Sequence, residues 1–368
     1  MKLLGVELLT VGVPLVSPFR TSFGTEYNHE VMLLRLVTEE AEGWSECVAS
    51  TEPSYSSEYL AGAADLFRRF LVPALAAMPV AEAAAFAPAV EWIKGHRMAK
   101  AGLETALLDA ELRVAGESFA HRLGAVKDRA PAGVSVGIMD TIPELLDAVA
   151  GYLAEGYLRI KLKIEPGWDG APVRAVRERF GDEILLQVDA NTAYTRADGE
   201  LLARLDPFDL LLIEQPLDEE DIIGHAQLAQ QVRTPICLDE SIVSARSAVD
   251  AIELGACAIV NIKPGRVGGY LEAVRIHDVC VERGIPVWCG GMLETGIGRA
   301  PNLALAALPG FTLPGDTSAS ARYYATDLTE PFVLDAGYVA VPTGPGIGVE
   351  PLPDLLAEFT LSKEWLAV

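Results

Sequence analysis

The feature that most constrains the fold is the even spacing of apolar runs in the second part of the chain. Short aliphatic and β-branched runs end near eight residues that lie 26, 26, 25, 25, 24, 26 and 26 positions apart: Gly137, Lys163, Asp189, Glu214, Asp239, Lys263, Cys289 and Gly315. Helix-length segments separate these runs, as parallel βαβ units require. Eight such units predict an α/β fold, a closed (β/α)₈-type barrel. A solenoid is the alternative, but solenoid repeats share a sequence signature and these units share only their length.

The segments that flank the barrel predict a second domain. Residues 1–125 open with strand-like stretches over 3–11 and 31–37 and turn helical over 57–70 and 98–123. We expect them to form an α+β capping domain, followed by a linker at 127–131. The barrel is expected over 126–322. Residues 323–368 are turn-rich and contain no further βα unit, so we expect them to pack back on the capping domain.

Composition excludes several classes of function. The chain has 52 acidic against 29 basic residues, a net charge of −23, which repels nucleic acid and anionic membranes. The five cysteines are odd in number and form no C-x-x-C pair, so a reducing cytoplasm is expected. Glu7 interrupts the first apolar stretch, which predicts a strand instead of a signal peptide. No uncharged apolar run reaches the length of a membrane helix, and the glycine pairs lack the spacing of a nucleotide-binding loop, so no such cofactor is expected.

Five consecutive strand ends carry ionisable residues, and the middle three are acids. Asp189, Glu214 and Asp239 each follow an apolar run, so in a barrel they converge on the face where active sites lie. Three carboxylates make an oxygen-rich site suited to a hard cation such as Mg²⁺. The alternative for any single acid is a helix N-cap at a βα junction, which is improbable for all three together.

Lysines flank these acids on both sides. Lys161 and Lys163 lie two apart on one predicted strand, so their side chains share a face. If that face is the barrel interior, mutual repulsion and burial should lower the pKa of one lysine from its usual value of about 10.4, as a general base requires. We expect Lys163 to be the base and Lys161 to tune it and attract a substrate carboxylate. A surface strand with solvated lysines has the same alternation, so periodicity alone leaves both readings open.

Lys263 lies at the end of the fourth predicted strand after the one that ends at Lys163, which is halfway round an eight-stranded barrel. It is therefore expected to face a bound substrate from the opposite side. With a metal-bound carboxylate between the two lysines, one can remove the α-proton while the other returns it to the opposite face, which racemises the substrate. A Schiff-base lysine is the alternative, but it does not explain three neighbouring acids.

This arrangement resembles the enolase superfamily, in which a Lys or His base acts with Mg²⁺ that stabilises an enediolate. Lys-x-Lys on the second strand and a lysine on the sixth are similar to the muconate-lactonising subgroup. Three segments resemble those of the o-succinylbenzoate synthase and N-succinylamino acid racemase family: Lys263–Gly269, Gly290–Gly296 and Gly315–Ser318. The resemblance covers essentially the whole chain. The resemblance implies racemisation of N-succinyl- or N-acylamino acids, dehydration to o-succinylbenzoate in menaquinone biosynthesis, or both. Mg²⁺ is the implied cofactor, with Mn²⁺ or Co²⁺ as substitutes.

The same resemblance assigns supporting roles. It implies that Asn191 and Glu240 support the metal or the lysines and that Arg266 tunes Lys263. Substrate contacts are implied for Ser135 and for Gly291, Met292 and Leu293. Dipeptide epimerases of the subgroup hold a substrate ammonium with Asp-x-Asp, whereas this chain has Asp316-Thr317-Ser318, which argues against a dipeptide substrate.

In this family the N-terminal domain closes over the barrel mouth, and residues 17–25 are expected to form a mobile lid. Phe19, Phe23 and Tyr55 are expected to cover an apolar side chain of the substrate and exclude water, or alternatively the two phenylalanines belong to the domain interface. The expected partner is a small carboxylate substrate, with a homo-oligomeric assembly. Three different functions stay open: a dipeptide epimerase, a muconate cycloisomerase, and a metal-binding barrel without catalytic activity.

Overall fold

The computed structural model describes residues 1–368, and its N-terminal part is built on a long β-hairpin. Strands β1 (Leu3–Thr21) and β2 (Gly24–Thr38) pair in antiparallel register, and β3 (Glu42–Cys47) pairs with β2. Both hairpin strands run well beyond the predicted 3–11 and 31–37. The additional part of β1 contains Pro14 and Pro18, and the additional part of β2, residues 24–30, is mostly polar, so neither shows the apolar alternation that the prediction used.

A set of helices packs against this sheet. They are α1 (Leu60–Leu66), a π-helical turn (Phe67–Leu71), α2 (Val72–Ala76), α3 (Ala83–Ala89), α4 (Arg97–Ala115) and α5 (Phe119–Leu123). The region predicted to be helical, 98–123, divides into α4 and α5: α4 ends at Ala115, and the next residue, Gly116, has a left-handed φ of 67°. Ser118 then starts α5 by accepting a hydrogen bond from the backbone N–H of His121.

After β4 (Arg129–Pro131), seven parallel strands follow in chain order. They are β5 (Gly133–Val136), β6 (Arg159–Lys163), β7 (Leu185–Asp189), β8 (Ile213–Glu214), β9 (Ile236–Leu238), β10 (Ile259–Ile262) and β11 (Val287–Cys289). The helices between and after them are α6 (Ile142–Glu155), α7 (Gly170–Phe180), α8 (Gly199–Ala203), α9 (Ile222–Leu228), α10 (Ala245–Glu253), α11 (Pro264–Val267), α12 (Tyr270–Glu282) and α13 (Gly296–Ala306). Single 3₁₀ turns lie at Arg196–Asp198, Asp206–Phe208 and Ser320–Arg322.

The segment at the eighth predicted strand end, around Gly315, closes the barrel without forming a regular strand. The Gly133 backbone N–H donates to Gly315 O (2.7 Å), and the Asp316 N–H donates to Cys289 O (2.8 Å), so this segment joins β5 to β11. Pro314 has no N–H to donate, which limits the pairing to isolated bridges. The predicted barrel is confirmed, with its eighth strand in this reduced form.

The predicted strand ends lie at the carboxyl ends of the strands. Lys163, Asp189, Glu214 and Cys289 are the last residues of their strands, while Gly137, Asp239 and Lys263 directly follow theirs. Below them, Leu212, Cys237, Ile259 and Trp288 form a small apolar cluster. The ionisable side chains therefore lie at one end of the barrel, next to an apolar layer in its interior.

The C-terminal segment contacts both the barrel and the N-terminal sheet. It contains β12 (Leu334–Asp335), β13 (Tyr338–Ala340), α14 (Pro353–Phe359) and β14 (Thr360–Ala367). Strand β13 pairs with β4, so residues 129–131 of the expected linker lie in a small sheet, and β14 pairs with β1. None of the helices is both long and apolar enough to cross a membrane.

Candidate active site

A cavity of about 440 Å³ lies between the barrel mouth and the N-terminal hairpin. Side chains from both parts of the chain line it. Twelve of the residues singled out from the sequence are among them: Phe19, Phe23, Tyr55, Ser135, Lys161, Lys163, Asn191, Lys263, Gly291, Met292, Leu293 and Asp316. Four acids are buried beside this set and contact its members: Asp189, Glu214, Asp239 and Glu240. Arg266 is buried next to them and contacts Asp239.

Strand β6 carries the two paired lysines into the barrel. Lys161 and Lys163 are only 2% and 7% exposed, and Ile160 and Leu162 on the other face are buried too, so the surface-strand alternative is excluded. The Lys163 Nζ donates to Asp189 Oδ2 (2.6 Å) and to Asn191 Oδ1 (2.5 Å). The Lys163 ammonium is thus held between an acid and an amide at the cavity wall.

Lys161 lies deeper and contacts several acids. Its Nζ is 2.5 Å from Asp316 Oδ2, 3.2 Å from Glu214 Oε2 and 3.3 Å from Asp189 Oδ2. Burial alone would lower the lysine pKa, but these three carboxylates outweigh it and raise the pKa of Lys161. The sequence did not reveal how many carboxylates surround Lys161.

Lys263 lies across the cavity from Lys163. It follows β10, four strands round the sheet from β6, and its Nζ is 2.6 Å from Asp239 Oδ2 and 3.0 Å from the Tyr55 hydroxyl. Burial opposes its charge, yet Asp239 raises the pKa of Lys263. Arg266 Nη2 donates to the other oxygen of Asp239 (2.7 Å), so this carboxylate bridges the lysine and the arginine.

The three predicted metal ligands are fully buried on adjacent strand ends. Asp189 and Glu214 are register partners on β7 and β8, and Asp239 follows the next strand. Burial and then the charges of Asp189 and Asp239 raise the pKa of Glu214 well above its usual range. Lys163 and Lys161 hold the pKa of Asp189 below its usual range, although burial opposes this.

In the structure, these carboxylates form hydrogen bonds and ion pairs with lysine, arginine and amide groups of the protein. No three acid, His or Cys side chains converge closely enough to hold a metal ion. The donor set nevertheless fits a hard divalent cation chemically: three oxygen ligands lie buried side by side, and their charges disfavour each other's ionisation. A bound cation would compete with the lysine ammoniums for the same oxygens.

Asn191 and Glu240 form a second layer beside Lys163. The Asn191 side-chain amide donates to Glu240 Oε1 (2.9 Å) and, through its oxygen, accepts from Lys163. The other Glu240 oxygen is buried without a partner. Burial, and then the nearby Asp239 charge, raise the pKa of Glu240 to about 7. Asn191 thus links the Lys163 ammonium to Glu240.

Asp316 is neutralised by two cations. The Arg159 Nη2 donates to its Oδ1 (2.8 Å), and Lys161 binds its Oδ2. Although burial opposes ionisation, these charges hold the pKa of Asp316 below its usual range. The carboxylate is therefore engaged within the protein and is not free to hold a substrate ammonium.

The tip of the hairpin β1–β2 covers the barrel mouth. The Ser22 hydroxyl donates to the backbone oxygens of Ala190 (3.3 Å) and Asn191 (3.2 Å), and the Ile138 N–H donates to Arg20 O (2.9 Å). Phe23 lies 5.6 Å from Tyr55 between ring centroids. The structure thus places the expected lid in a closed position with its aromatic side chains at the cavity.

The remaining predicted substrate contacts, Ser135 and Gly291–Leu293, also line the cavity. Ser135 is on β5, and its hydroxyl is buried without a partner. Leu293 has a left-handed φ of 61°, and its carbonyl accepts a hydrogen bond from the Tyr324 hydroxyl. The segment Gly291–Leu293 is therefore held in a defined shape at the cavity wall.

Several contacting residues were missed in the sequence. Arg159 binds Asp316, and the Asn261 amide donates to Glu214 Oε1 (2.8 Å). Each lies two residues before a singled-out lysine on its strand, so the alternation that joined Lys161 to Lys163 could have found both. Tyr323 also lines the cavity, but it comes from the C-terminal segment and no sequence pattern marks it.

Comparison with known proteins agrees with this geometry. Residues 144–355 match the enolase C-terminal domain-like family, and residues 4–124 match the mandelate racemase / muconate lactonizing enzyme N-terminal domain. The chain is 68% identical over 366 residues to an N-succinylamino acid racemase from an Amycolatopsis species, with 100% of both chains covered. It is 47% identical over 347 residues to the o-succinylbenzoate synthase of Geobacillus kaustophilus, covering 94% of this chain and 92% of that protein.

A solved structure extends the match to the whole fold. An enolase-superfamily member from Listeria innocua Clip11262 superposes with a TM-score of 0.95 at 40% identity, covering 100% of this chain and 99% of that one. The resemblance inferred from the lysine and acid stations is therefore confirmed. The chain belongs to the mandelate racemase / muconate lactonizing enzyme family of the enolase superfamily.

Proposed function

We propose that this protein removes the proton next to a substrate carboxylate and thereby racemises N-succinyl- or other N-acylamino acids. The observation that carries the proposal is the placement of Lys163 and Lys263 on opposite walls of one cavity, each bound to a buried aspartate. The 68% identical racemase supports the substrate class.

The proposed cofactor is Mg²⁺, with Mn²⁺ or Co²⁺ as substitutes. Members of the family depend on a divalent metal ion. Asp189, Glu214 and Asp239 would hold it, because they form the buried oxygen-only set between the two lysines. When bound, the cation supplies positive charge that stabilises the substrate carboxylate as the α-carbon loses its proton.

The lysines carry the proton. As a neutral amine, Lys163 Nζ accepts the α-proton on one face of the substrate, and the Lys263 ammonium delivers a proton to the other face. The reverse direction exchanges these roles, so both enantiomers are substrates. Lys161 keeps its charge because its pKa is raised, and it offsets the negative charge that develops on the carboxylate. The hairpin tip over the barrel mouth would shield a bound substrate from water.

Dehydration to o-succinylbenzoate is the second candidate reaction of the same site. The 47% identical synthase supports it. In this reaction Lys163 would accept the proton and then return it to the departing hydroxyl, while Lys263 stabilises the anion. Menaquinone biosynthesis would be the pathway that such an activity serves.

Dipeptide epimerisation, muconate cycloisomerisation and a non-catalytic role have less support. A dipeptide epimerase would need an acid free to hold the substrate ammonium, whereas Asp316 is engaged by Arg159 and Lys161. Muconate cycloisomerase activity stays a possible reaction of the subgroup. A non-catalytic barrel would have no need for two lysines on opposite walls. The cytoplasmic location, the homo-oligomeric state and the division at residues 125 and 322 stay predictions.

Proton NMR in D₂O tests the racemase proposal. N-succinyl-L-phenylalanine and its D-enantiomer would each be incubated with the purified protein and Mg²⁺, with a chelator control. We expect metal-dependent loss of the α-proton signal from both. Absence of exchange from either enantiomer would contradict the racemase proposal, and formation of o-succinylbenzoate from its hydroxy-acid precursor would then test the synthase separately.

A further inference from the structure

Arg322 is a buried cation without an ionic partner. It is 7% exposed, and the only hydrogen bond of its side chain runs from Nη2 to the backbone oxygen of Ser135 (2.7 Å). Its Nε is buried and donates to nothing. In a chain with a net charge of −23, an unpaired buried guanidinium is unexpected, because burial of a charge is costly unless the charge is paired.

The remaining buried arginines satisfy their donors more fully. Arg159 and Arg266 each bind an aspartate, at 2.8 Å and 2.7 Å. Arg177 donates to backbone carbonyls through all three of its nitrogens, and Arg299 donates to Ser318 and to Glu294 O. The Nε of Arg266 and of Arg299 is also buried without a partner, but both Nη atoms of each of these arginines donate. Arg322 differs because its side chain donates through one Nη atom alone.

Aromatic rings surround the guanidinium instead of acids. Its Cζ lies 4.7 Å from the ring centroid of Tyr323, 5.0 Å from that of Tyr152 and 5.5 Å from that of Phe19. Cation–π contacts offset part of the cost of burial and hold the guanidinium in place. They leave its donors available to an acceptor.

Arg322 lies directly behind one wall of the cavity. Ser135, Phe19 and Tyr323, the residues it contacts there, all line the cavity. The Ser135 hydroxyl at the same wall is also buried without a hydrogen-bond partner. This wall therefore offers two donor groups without acceptors, one of them charged, which is an arrangement suited to an anionic ligand group.

We propose that Arg322 recognises the distal carboxylate of the N-succinyl group and so selects N-succinyl substrates over uncharged N-acyl ones. This inference rests on the proposed function, which places the α-carboxylate near Lys161 and the two bases. The N-acyl arm then extends away from the lysines, and Arg322 supplies the cation that a second carboxylate requires. Binding needs a small shift of Phe19 or Tyr323, both of which line the cavity and contact the guanidinium.

A second role for Arg322 would be anchoring of the lid through Phe19. That role concerns closure over any substrate, so it predicts equal effects on charged and uncharged N-acyl groups. Recognition of the distal carboxylate predicts unequal effects. The ratio of two kcat/KM values therefore separates the roles.

The experiment compares N-succinyl-L-phenylalanine with N-butanoyl-L-phenylalanine, which has a methyl group in place of the distal carboxylate. Racemisation kinetics would be measured for the native protein, Arg322→Met and Arg322→Lys. We expect Arg322→Met to lower the ratio of kcat/KM, succinyl over butanoyl, roughly ten- to a hundredfold, the range for a hydrogen bond to a charged group. Arg322→Lys should retain part of the preference, and it serves as the test if Arg322→Met does not fold.

Arg20→Met is the matched control. It removes the same charge from the lid, where Arg20 pairs with Glu165 (3.1 Å), and should leave the ratio unchanged. An equal loss for both substrates in Arg322→Met would overturn the inference and indicate lid anchoring. If the native protein racemises neither substrate, the proposed function itself fails, and the two failures are thus distinguishable.

Discussion

The Lys263 ammonium lies 3.0 Å from the hydroxyl of Tyr55, so a base on the barrel is in contact with a residue of the N-terminal part of the chain. Tyr55 also lies near Asp239, with its hydroxyl 3.5 Å from Oδ2. The position of Lys263 therefore depends on closure of the N-terminal elements over the barrel mouth.

Replacement of Tyr55 by Phe tests this dependence. The ring stays and continues to pack on Phe23, but Lys263 loses a hydrogen-bond acceptor. We expect kcat for racemisation to fall about tenfold, because a hydrogen bond to a charged group contributes about 1.5–3 kcal/mol. Deuterium exchange should fall more for the enantiomer that Lys263 deprotonates. An equal fall for both enantiomers would indicate that Tyr55 acts on the cavity in general.

Single lysine variants reveal the stereochemistry of the two bases. In Lys163→Ala the base on one face is absent, whereas Lys263 can still exchange the proton of the other enantiomer. We expect racemisation to cease and exchange of one enantiomer to fall by at least about a hundredfold, the usual contribution of a general base. Lys263→Ala should show the opposite preference in the same NMR assay. If both variants lost exchange of the α-proton from the same enantiomer, the two-base arrangement would be contradicted.

The three buried carboxylates predict stabilisation by a divalent cation. A cation that binds only the folded state at a hundred times its Kd adds about 2.7 kcal/mol to the free energy of unfolding. Calorimetry should therefore show a rise in Tm with Mg²⁺, which EDTA reverses. Glu214→Gln should abolish the rise, whereas Glu219→Gln, outside the carboxylate set, should retain it. A full Mg²⁺-dependent rise in Glu214→Gln would remove Glu214 from the proposed ligands.

Much of the site followed from the spacing of strand ends, because a parallel barrel brings those ends to one face whatever the helices between them contain. Residues two positions earlier on the same strands, Arg159 and Asn261, were accessible to the same reasoning. Arg322 and Tyr323 were not, since their place at the cavity depends on how the C-terminal segment crosses the barrel. The direction of the Lys161 pKa shift also needed the structure, because it is decided by three acids on different strands.

His29, which also lines the cavity, predicts a pH dependence of the free energy of unfolding. It is buried on β2, with Nδ1 3.6 Å from Glu26 Oε2 and Nε2 3.9 Å from Glu46 Oε1. Burial would lower the His29 pKa, but the two glutamates raise it to about 9, above the unfolded value of about 6.5. The stabilisation is therefore fully present below about pH 6.5 and is lost as the pH rises through 9.

Replacement of His29 by Gln measures this contribution. We expect the variant to lose about 3 kcal/mol of unfolding free energy at about pH 6, from the pKa shift, and much less at about pH 10. Denaturant unfolding at both values provides the comparison. His121→Gln is the control, because the His121 side chain is 81% exposed and should contribute little at either pH. A pH-independent loss in His29→Gln would mean that His29 stabilises the fold by packing alone.

Gly290 predicts how tightly the cavity wall is packed against Lys263. A Cβ at this position would overlap Asn261 Oδ1 and lie 2.8 Å from Lys263 Cε, so Gly290→Ala must displace one of these side chains. We expect kcat to fall at least about tenfold, with the larger loss for the enantiomer that Lys263 deprotonates, because small misplacements of a reacting group are costly.

Gly151→Ala is the matched control: Gly151 lies inside α6 with no atom within 4 Å of an added Cβ, and the change should raise stability by about 0.5–1 kcal/mol. Unchanged kcat in Gly290→Ala would show that the cavity wall and Lys263 can move apart without slowing the reaction, so the exact position of Lys263 would not limit the rate.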